Sequence, residues 1–249
     1  MDPLVIVVLA VTALFAGTVD AIAGGGGLIT LPALLAAGLP PHLALGTNKG
    51  QSWCGSGSAL IAFWRAGRVD TRLAQLAFPV GLIGSALGAQ LVILVDRDVL
   101  RPLVIALLIG AAVLLVVKKP EREQDLPMTR RMLGLALVLA FAIAVYDGFF
   151  GPGTGTFLIV GFVAVAGMSL MRATADAKVV NFASNIAALV AFSLDGDVVW
   201  KAALPMAAGQ LVGGALGARL ALRGGAKLIR AMVLVTSGAL VAKLLYDLL

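Results

Sequence analysis

Apolar residues in this chain come in long blocks. Uncharged runs cover Leu4–Val19, Ala21–Pro41, Gly50–Trp64, Leu73–Val95, Pro102–Val117, Met132–Tyr146, Gly148–Met171, Val179–Leu194, Ala202–Ala218 and Ala231–Ala242. A helix crossing the hydrocarbon core of a bilayer needs roughly 20 apolar residues, about 17 at the lower end. The blocks predict an all-α integral membrane protein. Several fall short of a full crossing unless flanking residues join them, so some are expected as half-helices or re-entrant segments.

Composition agrees. Of 249 residues, 60% are hydrophobic and 13% charged, with a mean hydropathy of +1.03. A soluble domain carries about 25% charged residues. No polar stretch is long enough for a soluble domain. The longest, Lys118–Arg131 ("KKPEREQDLPMTRR"), reads as a linker at the midpoint of the chain. The net charge of +6 comes from basic residues in short loops, so it points to membrane sidedness and away from nucleic acid. The single cysteine, Cys54, lies in an apolar run and has no intrachain disulfide partner. The N-terminus "MDPLVIVV" lacks a basic n-region and a nearby small-residue cleavage site, and reads as a retained first helix.

The two halves look like copies. Asp20, Gly24 and Gly26 match Asp147, Gly151 and Gly153 at an offset of 127. From there the offset is 129. It pairs Lys49 with Lys178, Gly67 with Gly196, "SALGAQL" (Ser85–Leu91) with "GALGARL" (Gly214–Leu220), and Arg101 with Arg230. A skeleton of charges and glycines in shared register rarely arises by chance from apolar sequence. The expected organisation is a first repeat over 1–117, a cytoplasmic linker over 118–131 and a second repeat over 132–249, forming one integrated transmembrane domain. Each repeat should hold a glycine-broken helix, or re-entrant hairpin, followed by about three further transmembrane helices.

Loop charges predict that the copies are inverted. Loop 65–72 carries Arg65, Arg68 and Arg72 against Asp70, whereas its counterpart 194–201 carries Asp195 and Asp197 against Lys201. The next pair reverses. Loop 95–101 is balanced, and its counterpart 219–230 holds Arg219, Arg223, Lys227 and Arg230 with no acid. Equivalent loops therefore prefer opposite sides, as in many transporters. Loops 65–72, 118–131 and 219–230 belong in the cytoplasm, and both termini are expected on the periplasmic side of a bacterial inner membrane.

Two motifs carry the candidate chemistry. "DAIAGGGG" ends in four glycines, Gly24, Gly25, Gly26 and Gly27. Each glycine costs a helix about 1 kcal/mol relative to alanine. The helix from Leu4 should break there and a short one restart near Leu28, running to about Ala37. "GPGTGT" repeats the device at Gly151, Gly153 and Thr154, with Pro152 adding a second break. Unwound backbone at membrane depth is tolerated only where protein buries it or it lines a cavity. A restarted helix offers free N–H groups and a positive dipole end, suited to an anion. The competing reading is a packing or hinge cluster with no ligand.

The second motif is a polar stripe. Lys49, Ser52 and Ser56 share one helical face, and Lys178, Asn181 and Asn185 repeat the spacing. Such a face should point into protein or a cavity; the alternative is that the lysines snorkel from near the interface. Asp20 and Asp147 are candidate counter-ions to the lysines, proton carriers, or both. Together these residues outline a site for a small oxyanion.

Other marks say less. The pairs Gly84–Gly88 and Gly213–Gly217 are small-xxx-small seams of the kind that pack helices. Trp53, Trp64 and Trp200 are candidate interfacial anchors. His42 is the one histidine and has no partner motif, so neither a metal site nor a serine hydrolase is expected. An aspartyl intramembrane protease needs two close carboxylates, but Thr154 follows "GPG" where a second aspartate would be wanted. There is no GxxxxGK[ST] motif, and no cofactor is expected.

The segments "VDAIAGGGGLITLPALL…GTNKGQSW" and "YDGFFGPGTGTF…NFASNIAALV" resemble the TauE/SafE sulfite exporter family, also called TSUP after the 4-toluene sulfonate uptake permease. The resemblance runs from Leu4 to Leu245. It implies an inner-membrane carrier of sulfur-containing anions such as sulfite or organosulfonates, working by alternating access. It leaves open uptake, a passive channel for other small anions, and a homodimer. "GGGG" against "GPGTG", and Ser52 and Ser56 against Asn181 and Asn185, imply an asymmetric site.

Overall fold

The computed structural model describes residues 1–114 and 124–248, and among these it is helical with no strand. The elements are α1 (Pro3–Ala23), α2 (Gly27–Ala36), α3 (Pro41–Arg65), α4 (Thr71–Ile93), α5 (Arg97–Leu114), α6 (Arg130–Phe149), α7 (Thr154–Ala166), α8 (Leu170–Leu194) and α9 (Trp200–Leu248). α9 is two helices joined at Gly225, where φ is 61° and ψ −158°. Residues 118–123 of the linker lie outside the described residues. The rest of it packs on the α7–α8 turn: Leu126 N–H donates to the Gly167 carbonyl at 2.9 Å, and Ser169 N–H donates to Asp125 Oδ1 at 2.7 Å.

Length and composition sort the helices. α1, α6, α8 and residues Thr71–Val92 of α4 are long and apolar enough to cross a membrane. α2 and α7 are not, at 10 and 13 residues, which is about 15 and 20 Å at 1.5 Å per residue. α3 has 25 residues, but its face from Thr47 to Gln51 is polar and buried. The chain is a multi-pass membrane protein in which a polar helix is sheltered by apolar ones.

Start signals divide the same way. Asp2 accepts from Leu4 N–H, Asp70 from Arg72 and Leu73 N–H, Thr129 from Met132 N–H and Ser169 from Arg172 N–H, capping α1, α4, α6 and α8. α2 and α7 begin on Gly26 and Gly153 with no side-chain cap. α3 likewise starts without one, on Pro40, so what sets α2 and α7 apart is that each follows a glycine break with positive φ.

Packing assembles two sets of parallel helices. A Cβ on Gly213 would lie 2.1 Å from the Leu14 carbonyl oxygen, and one on Gly217 would lie 2.3 Å from that of Thr18, so α9 is pressed against α1 in parallel register. Gly88 would meet the Val145 oxygen at 2.0 Å, pressing α4 against α6 in the same manner. α3 joins the first set through Gly50 against Ala203 and Gly55 against Gln210; α8 joins the second through Ser85 Oγ, which donates to the Ser184 carbonyl at 2.6 Å. Both small-xxx-small seams are thus packing seams. The sets meet where α3 crosses α8.

Candidate functional site

The two glycine breaks touch. Gly24 adopts φ 75°, and a Cβ there would lie 2.2 Å from the Thr156 nitrogen. Thr156 Oγ1 donates to the Ala23 carbonyl at 2.9 Å. Gly27 faces Pro152. The first residues of α2 and α7 thus open on one hollow, lined also by Asp20, Gly25, Gly26, Asn48, Lys49, Ser52, Asp147, Gly151, Gly153, Gly155, Asn181, Asn185 and Gln210.

Both lysines are buried, 2% exposed for Lys49 and 0% for Lys178, so neither snorkels to an interface. Each meets the aspartate of the opposite half. Lys49 Nζ lies 2.8 Å from Asp147 Oδ1, and Lys178 Nζ lies 2.8 Å from Asp20 Oδ2. Asp147 also accepts from Thr154 Oγ1 at 2.9 Å and from Ser184 Oγ, while Lys49 donates to Asn185 Oδ1 at 3.3 Å. Asp20 accepts from Gly26 N–H at 3.1 Å, and its own carbonyl takes a second bond from Lys178 at 2.5 Å. Of the two carboxylates, Asp147 is nearly sealed, at 3% side-chain exposure, and Asp20 is more open, at 19%.

Asp147 and Asp20 thus stand as counter-ions to Lys49 and Lys178, one of the roles expected for them. Two buried ion pairs leave the hollow close to neutral. A buried pair offsets much of its desolvation only while both partners stay. The free volume at the centre is about 20 Å³, room for one water molecule. A sulfur oxyanion with three oxygens is larger, so the hollow must widen to admit one.

Most residues singled out by sequence line the hollow. Three stand just behind it. Gly24 is the contact between the breaks. Lys178 is held on Asp20. Ser56 accepts from Asn185 Nδ2 at 3.3 Å. Among the described residues no group of His, Cys, Asp or Glu is arranged to hold a metal ion.

The family model "Sulfite exporter TauE/SafE" matches residues 9–244. The chain belongs to the TauE/SafE sulfite exporter family. Relatives of this TauE/SafE chain include "Probable membrane transporter protein YfcA" of Escherichia coli K12, 44% identical over 99% of this chain and 92% of its own length. "Probable membrane transporter protein ORF9" of a Sinorhizobium species is 42% identical over 96% and 92%. A "Probable membrane transporter protein" of Haemophilus influenzae is 41% identical over 93% and 91%. No solved structure matches. The chain is a membrane transporter.

The hollow also takes in Asn48 and Gln210, which sequence reasoning did not single out. Asn48 Oδ1 accepts from Thr30 Oγ1 at 2.6 Å and from Gln51 Nε2 at 2.9 Å, so its amide group is oriented by both. Gln210 reaches in from α9, against Gly17 and Gly55. A search for duplicated polar residues passes over both, because the positions 129 away are Ala177 and Gly81. An uncharged polar residue beside Lys49, one position off the stripe, was the available signal for Asn48.

Proposed function

We propose that this transporter is a secondary carrier that exports small sulfur-containing anions, such as sulfite or organosulfonates, across the bacterial inner membrane by alternating access. The observation that carries the reading is the pair of cross-half ion pairs, Lys49–Asp147 and Lys178–Asp20, set around the uncapped starts of α2 and α7. Lysines, amides and helix N-termini suit an oxyanion. The aspartates do not, until an anion or a proton takes over one side of the pair. An anion that displaces a carboxylate from its lysine, or a proton that neutralises the carboxylate, frees the cation for substrate. Asp20 and Asp147 are therefore the candidates for proton coupling, which uptake would need and export would not.

Alternating access is supported by the two parallel sets crossing at α3 and α8, which can tilt about the hollow between them. Repeats 1–117 and 132–249 in inverted topology are supported by contacts repeated at the same offset. Asp70 N–H donates to Asp176 Oδ1 at 2.8 Å, and Val199 N–H, at the matching position, donates to Thr47 Oγ1 at 3.0 Å. Loop charge then orients both termini to the periplasm. An anion leaving a negative-inside cell gains about 2.3 kcal/mol per charge per 100 mV, so export needs no coupling ion. A passive pore fits less well, because buried ion pairs and a water-sized gap block the path.

The test is anion flux in liposomes holding the purified protein, with sulfite, sulfoacetate, taurine, sulfate and small carboxylates offered in turn. Saturable flux of a sulfur oxyanion, driven by membrane potential and lost in Lys49→Ala, is expected. Flux of carboxylates alone, or none that depends on Lys49, overturns the reading.

A further inference from the structure

Outside the hollow, the feature that asks for a ligand is a groove of about 640 Å³ between α3 and α9 on the outer face of the bundle. Its walls are apolar: Ile61 from α3, and Leu211, Val212 and Leu216 from α9. These four are 43–54% exposed, so the walls face the membrane and not the core. At one end two arginines converge from different helices, Arg65 from the last turn of α3 and Arg219 from α9. Both are exposed, and neither forms an ion pair among the described residues. Trp64, next to Arg65, is 49% exposed, as suits a ring at headgroup level.

We infer that this groove binds one anionic phospholipid, its phosphate on Arg65 and Arg219 and an acyl chain along Ile61, Leu211, Val212 and Leu216. Sidedness rests on the reading given under Proposed function, which puts the arginine end in the cytoplasmic leaflet. Basic pockets between helices on that side take acidic headgroups. The positions 129 away from the two arginines are Leu194 and Gln90, so the feature is not shared by the other half. A general excess of cytoplasmic charge places arginines in loops. It does not require two of them to close the end of one apolar groove.

The test uses the full chain purified in detergent. Native mass spectrometry is expected to show one phosphatidylglycerol retained. Adding phosphatidylglycerol is expected to raise Tm, while phosphatidylcholine with the same acyl chains does not. Arg65→Gln with Arg219→Gln is expected to abolish both effects, and Arg65→Lys with Arg219→Lys to keep them in part. Leu216→Trp, which narrows the groove and leaves the arginines in place, is expected to retain less of the lipid. Arg72→Gln with Arg130→Gln removes the same charge elsewhere and is expected to change neither readout.

Equal stabilisation by both lipids overturns the proposal, as does equal loss in the Arg72/Arg130 variant. Inorganic phosphate that reproduces the Tm shift overturns it in favour of a simple anion. Crosslinking of Ile61→Cys between two copies, with no lipid retained, overturns it in favour of a dimer interface. The readout is separate from transport: Lys49→Ala is expected to retain the lipid whether or not it carries anions.

Discussion

The ammonium of Lys49 on α3 lies 2.8 Å from a carboxylate oxygen of Asp147 on α6, although 98 residues separate them in the chain. The same contact recurs between Lys178 and Asp20, 158 residues apart. The lysine of each half is neutralised by the aspartate of the other. The two halves are joined at the point where substrate is proposed to bind, so disturbing one pair disturbs both the site and its closure.

Removing one member of the Lys49–Asp147 pair should cost more than removing both. Lys49→Met leaves Asp147 buried without its cation, and Asp147→Asn leaves a buried ammonium. Either is expected to destabilise the protein by about 3–5 kcal/mol, with the double variant milder than the sum. Thermal unfolding in detergent, arranged as a double-mutant cycle, measures this. Additive losses would show that the pair does not couple.

Proton coupling has its own signature. Asp147→Asn is expected to abolish pH-dependent flux if the carboxylate carries the proton, while anion binding survives. Flux against external pH in liposomes reads it. Unchanged pH dependence removes the role from Asp147 and leaves Asp20, the more open of the two, to be tested by Asp20→Asn.

Gly24→Ala should be severe and Gly38→Ala mild. Both positions have positive φ, 75° and 87°, a strain of roughly 1–2 kcal/mol for alanine. At Gly24 the methyl would also strike the Gly155–Thr156 backbone, whereas at Gly38 nothing lies within 4 Å. Yield of monodisperse protein and Tm should rank wild type, Gly38→Ala, Gly24→Ala in descending order. The reverse order would mean that the two breaks do not touch.

Arg172 at the start of α8 faces Asp70, Asp176 and Asp125, joining the α3–α4 turn and the linker to the helix that carries Lys178. Arg172→Gln leaves three carboxylates without their cation and is expected to lower Tm well beyond Asp125→Asn, whose side chain is 40% exposed and 3.8 Å away. Equal effects would mean that the contact with Asp70 is worth little.

The orientation is tested without flux. A reporter active only in the periplasm, fused after Leu249, is expected to be active. Cytoplasmic activity would reverse the loop assignment and, with it, the leaflet of the lipid groove.

Sequence alone determined the features that depend on local chemistry. Four glycines, or "GPGTG", cannot continue a helix, so both breaks were readable, the first with a restart near Leu28 against the observed Gly27. Lysines at matching places in apolar runs were readable as either buried or snorkelling to an interface, and the structure shows them buried. Tertiary structure alone decided who meets whom. Lys49 and Asp20 belong to one half and are close in sequence, yet each is paired across the interface, since the helices interleave with those of the other half. It also decided that Asn48 and Gln210 join the site. Their types are ordinary and they have no copies in the other half; only the crossing of α3, α8 and α9 brings them to the hollow. Local propensity acts within a few residues along the chain, whereas a binding site is set by which helix faces pack together.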